Sequence, residues 1–434
     1  MLTALRVFRY GRFAVVWSGE TLSMLGDFSY QVVFVLLVLH VTGSVRSLAA
    51  VLVVQAVPFA VLLLLGGAIA DRFSPRNVML ASHLARGVIL SGITAAAALG
   101  VVRTWELFAL AGVFGIADAF FWPASDSILP SLLPHELLER GNAAVGFGEQ
   151  GTRLLGPILG GLLVRYIGLP EAIAFNAATY FAAAFTVTAA PRKQSARESK
   201  PIRAIGGEVA EGLRYARQSA DFRIIFLLLA AATLSYSGLF SVGLPALSRH
   251  FPGNAVALGL LLSAWGFGQL GGSISAMITG LPRRWGILII CMTFCEGTAF
   301  ALLGLLPSLW LAVTILAVLG FGVAYSADVA LPTFIQTRTA PDILGRINSV
   351  LALPRTALTP LSIAFMGLLA AWSLRWCFAA AAVPMLAAGI RVAFSADARQ
   401  LTSAAPTAAA KPQPAQPPLT AALESPPQVP DSPD

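Results

Sequence analysis

Three polar side chains interrupt the first long apolar stretch of the sequence. Glu20, Asp27 and Gln31 follow one another at spacings of seven and four residues, so in a helix they share one face. Ionisable groups inside apolar segments are costly and commonly mark an ion or substrate path, and burial favours the neutral, protonated form of a carboxyl group. We therefore expect Asp27, and Glu20 nearer the inner surface, to serve proton coupling or substrate binding. The alternative is a structural hydrogen bond between helices.

A second set combines acidic and aromatic side chains in the stretch DAFFWPASD, residues 118–126. In a helix, Asp118, Phe121, Trp122 and Asp126 can lie on one face. Aromatic rings beside carboxylates suit an amphipathic or cationic substrate. An aromatic packing stripe with one acid near the outer surface is the alternative.

Further charged or polar residues lie within apolar segments downstream. Glu149 and Arg153 have the i, i+4 order that favours a salt bridge, although Arg153 could instead hold a gate or an anionic substrate. The candidates in the second half of the chain are Glu296, Tyr325, Asp328 and Arg355. Because acids concentrate in the first half, we expect proton coupling there and substrate shaping in the second.

The sequence does not have the pattern of an enzyme, which needs clustered nucleophiles, metal ligands or acid–base pairs. Its four histidines are scattered, and it has no Gly-x-x-x-x-Gly-Lys-Ser/Thr loop for ATP. Cys291 and Cys295 are spaced i, i+4, but two ligands do not make a zinc site. We expect them and Cys377 to be small packed side chains, and we expect no cofactor and no metal.

The elements that position these residues are membrane helices. The 434 residues are 57% hydrophobic and only 12% charged, about half the charge of soluble domains. Apolar runs long enough to cross a bilayer recur at 13–40, 48–70, 77–100, 104–130, 142–168, 171–190, 222–248, 256–280, 285–306, 309–333, 347–371 and 375–395.

Lys and Arg are distributed unevenly between the two sets of loops. With twelve spans both termini lie on one side, which also holds most of the 29 Lys and Arg residues. The opposite loops hold Arg46, Arg103, Arg165, Arg249 and Arg375. Such an excess marks the cytoplasm, so we expect cytoplasmic termini and a first helix that is retained rather than cleaved. The largest basic cluster, 192–223, is one loop, which predicts topology and lipid contact rather than nucleic-acid binding.

The chain divides into two similar halves. Pro134 matches Pro341 at an offset of 207 residues, Asn142 matches Asn348 at 206, and TGS at 42–44 matches PGN at 252–254 at 210. A nearly constant offset predicts an internal duplication. The predicted units are a six-helix bundle (1–190), a cytoplasmic connector (191–221), a second six-helix bundle (222–396) and a disordered Pro/Ala-rich tail (397–434).

Two motifs resemble those of the major facilitator superfamily. GGAIADRFSPRN, residues 66–77, is similar to its Gly-x-x-x-Asp-Arg-x-Gly-Arg-Arg/Lys loop, with matches at Gly67, Asp71, Arg72 and Arg76. Ser74 and Pro75 depart from that pattern, which puts the flexibility of the loop in question. The resemblance implies that this loop locks the inner gate.

The second motif, GPILGG, resembles the Gly-Pro-x-x-Gly-Gly signature in the fifth helix of proton-coupled exporters. It contains Gly156, Pro157, Gly160 and Gly161. Proline bends a helix, and the GxxxG spacing of Gly156 and Gly160 permits close helix approach. We expect this helix to meet the face of span eight that carries Gly268, Gly271 and Gly272, forming a sliding seam between the halves.

One bacterial branch, with enterobactin-type siderophore exporters and macrolide-type drug exporters, resembles residues 5–395. The shared stretches are WSGETLSMLGDFSYQV, HLARG, AFFWPASDSILPSLLP and LLGPILGGLL. The chain departs at Glu20, where glutamine is usual, and at His83, where an acid is usual. In drug-exporting relatives, an acid in the first helix takes part in proton or cation binding, and Arg153 matches the family pattern.

The resemblance implies an all-α integral membrane protein with twelve transmembrane helices in two six-helix pseudo-repeats, the major facilitator fold. It implies a monomeric, proton-coupled antiporter in the bacterial inner membrane that exports an amphipathic small molecule by alternating access. An uptake carrier of the same fold is the alternative, followed by an integral membrane enzyme or a non-transporting sensor.

Overall fold

The computed structural model describes residues 4–72, 74–191, 220–279, 285–305, 308–328 and 341–394. Every regular element in these ranges is helical. In the first half the long helices are α1 (Gly11–Thr42), α2 (Val45–Arg72), α3 (Pro75–Ala98), α4 (Thr104–Leu132), α5 (Leu138–Tyr166) and α6 (Leu169–Val187). Short 3₁₀ turns at Ala4–Arg9 and His135–Leu137 precede α1 and α5.

The second half repeats this arrangement. Helix α7 runs from Ala220–Gly238 through a π-helical segment, Leu239–Gly243, into Leu244–Ser248. The others are α8 (Asn254–Thr279), α9 (Trp285–Leu303), α10 (Leu309–Val323, followed by a π-helical segment at Ala324–Asp328), α11 (Pro341–Trp372) and α12 (Leu374–Ala393). Helix α11 begins six residues before its predicted span, with Pro341 at the first position, where proline costs no hydrogen bond.

Ten helices in the described chain are long and apolar enough to cross a membrane. The other two long helices, α5 and α6, form where spans were predicted but are less apolar. Charged residues lie along α5, and α6 has 19 residues that include Glu171 and Asn176. Their place in the bundle therefore depends on packing against neighbouring helices as well as on hydropathy.

The helix neighbours confirm the two pseudo-repeats. In the first half α2 packs on α4, α3 on α6, and α1 on α5 and α6; in the second α8 packs on α10, α9 on α12, and α7 on α11 and α12. The aligned turns after α1 and α7 carry Gly43 and Gly253, both at φ = 65°, a left-handed conformation that glycine adopts without strain. We call the end of the bundle with these turns the far end, and the end where α1 begins the near end.

The halves meet along two helix pairs, α5 with α8 and α2 with α11. In the first pair, a Cβ added at Gly161 would lie 2.5 Å from the carbonyl oxygen of Ala255, and one at Gly259 would lie 2.5 Å from that of Pro157. Near the far end, α2 meets the second half through Ala49, which packs with Val242 and Ile363.

The sequence predicted the correct pair of helices, α5 and α8, for a contact between the halves, but it predicted the wrong residues for that contact. Gly156 and Gly160 face Phe28 and Ser29 of α1, inside the first half. On α8, Gly268, Gly271 and Gly272 face α10, inside the second half. Each helix is lined with glycine on two sides, and spacing alone does not show which side faces the other half.

Cysteine placement also differs from the prediction. Cys377 is buried, but Cys291 and Cys295 are exposed on the outside of α9 rather than packed. The i, i+4 spacing placed these two thiols on one face, and that face lies outward. Nearly all of the predicted connector, residues 192–219, lies outside the described residues. The predicted tail lies outside them as well.

Candidate functional site

A cavity of about 520 Å³ lies between the two halves, near the middle of the helices. Its walls come from α1, α2, α4, α5 and α6 on one side and from α7, α8 and α11 on the other. A site at the interface of two repeats, near the middle of the membrane helices, is typical of transporters that are built from such repeats.

The cavity wall is mainly aromatic and aliphatic. Tyr30 stacks on Phe34 with ring centroids 5.5 Å apart, and Phe114 lies 5.7 Å from the same tyrosine ring. Trp122 of α4 lines the cavity and is 41% exposed, and Phe240 contributes from α7. An apolar wall with few polar groups is the usual character of a small-molecule site.

Three acids and one arginine line the cavity. They are Asp27, Asp118, Glu149 and Arg355, all predicted from the sequence, and the polar side chain of Gln31 lies among them. Three of the four charges belong to the first half. Each acid has a bonding partner, and those partners determine which charges are available to a ligand.

Asp27 accepts a hydrogen bond from the hydroxyl group of Tyr180 on α6. Tyr180 is buried, 1% exposed, and also lines the cavity. Because the tyrosine is neutral, this hydrogen bond does not cancel the charge of an ionised Asp27.

Asp118 is paired with Arg86, whose Nη2 atom lies 3.1 Å from Oδ1. Arg86 reaches the pair from α3, behind the cavity wall, and is 2% exposed. Its guanidinium group also lies over the rings of Phe121 and Tyr180, 4.6 and 5.4 Å from their centroids. Such aromatic contacts compensate a buried cation in part for its lost hydration.

Glu149 and Arg153 form the predicted salt bridge, with 2.8 Å between Oε1 and Nη2. Only Glu149 lines the cavity. Arg153 lies over the ring of Phe28, 5.1 Å from its centroid. The pair therefore presents the glutamate to the cavity and places the arginine between α5 and α1.

Other predicted candidates do not line the cavity. Glu20 is bonded to His83, and Tyr325 shares a hydrogen bond of 3.0 Å with Thr279 of α8. Asp126 lies one turn beyond the aromatic wall, and Glu296 is buried within the second half. The side chain of Asp328 lies outside the described residues.

Sequence reasoning missed Arg86 and Tyr180 as members of the site. Arg86 had a signal, since it is a charge inside an apolar span. Tyr180 had none, because an isolated tyrosine in an apolar helix is ordinary; only the packing of α6 on α1 brings it to Asp27.

The predicted gate loop is described only at its end. Gly67 and the side chains of Asp71 and Arg72 lie outside the part of the chain whose surroundings the structure describes. Arg76, 8% exposed, donates from Nε and Nη2 to the carbonyl oxygen of Thr188, at 3.3 and 3.1 Å. It caps the C-terminus of α6, where a cation is favourable. Pro75 begins α3.

The helix-five motif lies on α5 between α1 and α8. Pro157 is buried, and the next amide, of Ile158, donates to Ser263 Oγ of α8 at 3.1 Å. This hydrogen bond joins the two halves beside the proline. In the described part of the chain, no group of three His, Cys, Asp or Glu side chains is placed to hold a metal ion.

Comparison with known proteins agrees with this architecture. A model of the transmembrane secretion effector family, a branch of the major facilitator superfamily (MFS), matches residues 2–425. The chain belongs to this family. It is a transporter of the MFS type, not an enzyme.

Characterised relatives of the transporter include efflux proteins. The multidrug efflux pump Tap of Mycolicibacterium fortuitum is 26% identical over 384 residues, covering 85% of this chain and 92% of Tap. Macrolide efflux protein A of Streptococcus pyogenes is 24% identical over 346 residues, covering 78% and 84%. The enterobactin exporter EntS of Escherichia coli is 27% identical over 295 residues, covering 66% and 68%.

Solved structures share the transporter's fold. The nucleoside transporter NupG superimposes with a TM-score of 0.66 at 14% identity, covering 87% of this chain and 99% of NupG. A bacterial homologue of the iron transporter ferroportin in an inward-facing state gives 0.65 at 16% identity, covering 88% and 98%.

Proposed function

We propose that the transporter exports an amphipathic small molecule in exchange for protons across the bacterial inner membrane, with both termini in the cytoplasm and with one chain as the working unit. The observation that carries this proposal is the central cavity, which combines an aromatic wall with a carboxyl group, Asp27, whose charge no cation in the described structure pairs directly. The efflux relatives support the direction of transport.

The cavity wall favours a ligand with a large apolar surface and one polar or cationic group. Its volume of about 520 Å³ falls within the usual 300–1,000 Å³ for small-molecule sites. Trp122 and the neighbouring rings offer apolar contact, and Gln31 offers a donor and an acceptor. Macrolides and catecholates both combine large apolar surfaces with polar groups.

The charges on the wall support proton coupling. The Asp118–Arg86 and Glu149–Arg153 pairs are each neutral overall. Asp27 is thus the acid on the wall that has no ion-pair partner in the described structure, and Arg355 adds one positive charge to the wall. Protonation of Asp27 makes the net charge of the wall more positive by one. A cation or hydrogen-bond donor on the ligand binds the ionised form of Asp27 better, so ligand and proton compete, as exchange requires.

Alternating access would use the two helix pairs that join the halves. Their contacts at Ala49, Gly161 and Gly259 lie in the far half of the bundle. The described state is closed there, which is the geometry for loading from the near end. Release would require these contacts to separate, and the loop at 66–77 would then close the near end.

The test uses everted membrane vesicles whose interior is acidified by respiration, with a pH-quenched dye inside. Erythromycin, tetracycline, enterobactin and tetraphenylphosphonium are added in turn. We expect at least one of them to restore dye fluorescence with the wild type but not with Asp27→Asn. The matched control is Glu171→Gln, which neutralises an exposed acid at the far end of α6, outside the cavity.

Each outcome bears on a separate part of the proposal. Equal recovery with Asp27→Asn would show that Asp27 does not carry the exchanged proton. A response only in right-side-out vesicles would identify an uptake carrier. No recovery with any of the four compounds, in vesicles shown to contain the protein, would contradict proton-coupled export of these classes.

A further inference from the structure

A second buried ionisable pair lies behind the cavity wall. Glu20 of α1 and His83 of α3 approach to 2.9 Å between Oε1 and Nε2. His83 is fully buried, and Glu20 is 9% exposed. Neither residue lines the cavity. The transport cycle proposed above gives this pair no role, although burying two such groups is costly.

The pair lies on the near side of Asp27. Glu20 precedes Asp27 by seven residues on the same helix, which corresponds to about 10 Å along its axis. The ring of His83 lies 5.9 Å from the ring of Tyr180, the residue that bonds Asp27. The imidazole ring also packs edge-on against the ring of Phe121, with 5.0 Å between the ring centroids.

Each member of the pair has one hydrogen-bonding atom without a partner among the described residues. No hydrogen-bond partner among the described residues occupies His83 Nδ1 or Glu20 Oε2. The hydroxyl group of Ser23, one turn beyond Glu20 on α1, is likewise buried without a partner in the described chain. A histidine that served only to hold the helices would normally have its second ring nitrogen satisfied.

We propose that Glu20 and His83 form a proton-transfer site on a route that joins Asp27 to the near end of the bundle, behind the substrate cavity. The inference rests on the proposed exchange of substrate for protons. It gives the proton its own exit, so that a bound substrate in the cavity does not obstruct release on the near side.

The transfer needs only the groups in place and water. A proton that leaves the Asp27 carboxyl group is accepted at His83 Nδ1 by way of the hydroxyl of Tyr180 or a water molecule. The imidazolium then gives its other proton, at Nε2, to Glu20 Oε1. Glu20 loses this proton to water at the near end, so one proton enters the route and one leaves it. The starting tautomer is restored through water, when Nδ1 gives a proton to one water molecule and Nε2 takes a proton from another, with no net proton gained or lost.

Charged and titratable groups on the surrounding helices set the electrostatics of this route. The charged groups are Asp27 on α1, Arg86 on α3, Asp118 on α4, and Glu149 and Arg153 on α5, and the neutral, titratable group is Tyr180 on α6. Arg86 and Asp118 pair with each other, as do Arg153 and Glu149. Apart from Glu20 itself, Asp27 is therefore the acid near His83 that has no arginine paired with it in the described structure.

The first test observes His83 directly and needs no substrate. Purified full-length transporter in lipid bilayers is labelled on histidine with a magnetically active nitrogen isotope, and the His83 signal is identified by its loss in His83→Gln. The His83 signals of the wild type are compared at one pH with those of Asp27→Asn and Glu20→Gln. We expect both substitutions to change the proton distribution on the imidazole that these signals report, because each removes a carboxyl group that exchanges protons with the ring.

His250→Gln is the matched control for the histidine substitution, since His250 lies at the far end beside Ala246. It should leave the His83 signals unchanged. His83 signals that are the same in the wild type and in Asp27→Asn would overturn the proposal.

The second test separates proton movement from substrate movement. In vesicles carrying radiolabelled erythromycin, exchange of labelled for unlabelled drug needs no net proton transfer, whereas accumulation driven by the pH gradient does. We expect His83→Gln and Glu20→Gln to retain exchange and to lose gradient-driven accumulation, while His250→Gln retains both.

Failure of this inference is distinguishable from failure of the proposed function. Loss of neither activity, or of both, in folded His83→Gln and Glu20→Gln variants would refute the route. If the wild type neither exchanges nor accumulates erythromycin, the proposed function fails for this compound, and the nuclear magnetic resonance comparison still decides the role of His83.

Discussion

At the scale of single residues, Arg86 organises the acidic side of the cavity from behind. Its guanidinium group joins Asp118 to the rings of Phe121 and Tyr180, and Tyr180 in turn bonds Asp27. The acids that face the ligand are thus held in place by hydrogen bonds and ion pairs from residues behind them. This arrangement fixes their positions before a ligand binds, which reduces the cost of ordering the site.

Removal of Arg86 should destabilise the protein strongly. Arg86→Ala leaves Asp118 without its cation in a buried site, and breaking such a pair typically costs about 3 kcal/mol or more. The measurement is thermal unfolding of the detergent-solubilised protein, with the exposed Arg165→Ala as the matched control. Equal melting temperatures for Arg86→Ala and Arg165→Ala would show that the ion pair is not structurally important.

The sequence identified most of the charged residues around the cavity but not their partners. Asp27, Asp118, Glu149 and Arg355 are recognisable because charge is rare in apolar spans. Asp126 satisfied the same reasoning and lies off the wall. Helical spacing fixes which residues share a face, but the direction of that face depends on how the helices pack, and so does the pairing of Asp27 with Tyr180.

At the scale of elements, the contact between α5 and α8 joins the two halves by close approach of the helix backbones. Gly161 and Gly259 let the helices approach until backbone meets backbone, and Ser263 bonds the amide beside Pro157. A smooth contact with one hydrogen bond can separate and re-form at modest cost, whereas interlocked side chains would resist movement.

Gly161→Ala should therefore impair transport without preventing folding. The added methyl group would lie 2.5 Å from the carbonyl oxygen of Ala255, and overpacking of this kind costs about 1–3 kcal/mol. The far end would then be harder to close. Gly151→Ala, on the same helix with open space at its Cβ position, should transport normally. Transport rates in vesicles measure both; equal rates would contradict a close-fitting seam.

The sequence predicted where the helices lie, because helix position depends on composition. It did not predict which helix each glycine contacts, because that depends on packing. All twelve helices form within the predicted apolar runs or a few residues beyond them. The GPILGG motif correctly indicated close helix contact, but Gly156 and Gly160 contact α1, and Gly161 alone of the motif's glycines faces α8. A glycine permits close approach of any helix, so the motif alone does not show which helix packs against it.

At the scale of the whole molecule, the described state is closed at the far end. Ala49, 5% exposed, packs there with Val242 and Ile363 of the second half. Trp122, on the cavity wall nearer the other end, is 41% exposed. Access to the cavity should therefore differ between the two ends.

Cysteine labelling tests this difference. In a background without Cys291, Cys295 and Cys377, we expect a membrane-impermeant maleimide to label Trp122→Cys quickly in everted vesicles. Ala49→Cys should react slowly from either side in the absence of a ligand. Fast labelling of position 49 together with protection of position 122 would show that the resting state is open at the far end instead.

The most direct test of the central claim, competition between ligand and proton at Asp27, is proton release on binding. Purified transporter in weakly buffered detergent solution is mixed with the compound that responds in the vesicle assay, and the pH is followed with an indicator. We predict that binding releases protons from the wild type and from Glu171→Gln but not from Asp27→Asn. Binding with proton uptake, or with no pH change in the wild type, would contradict the account.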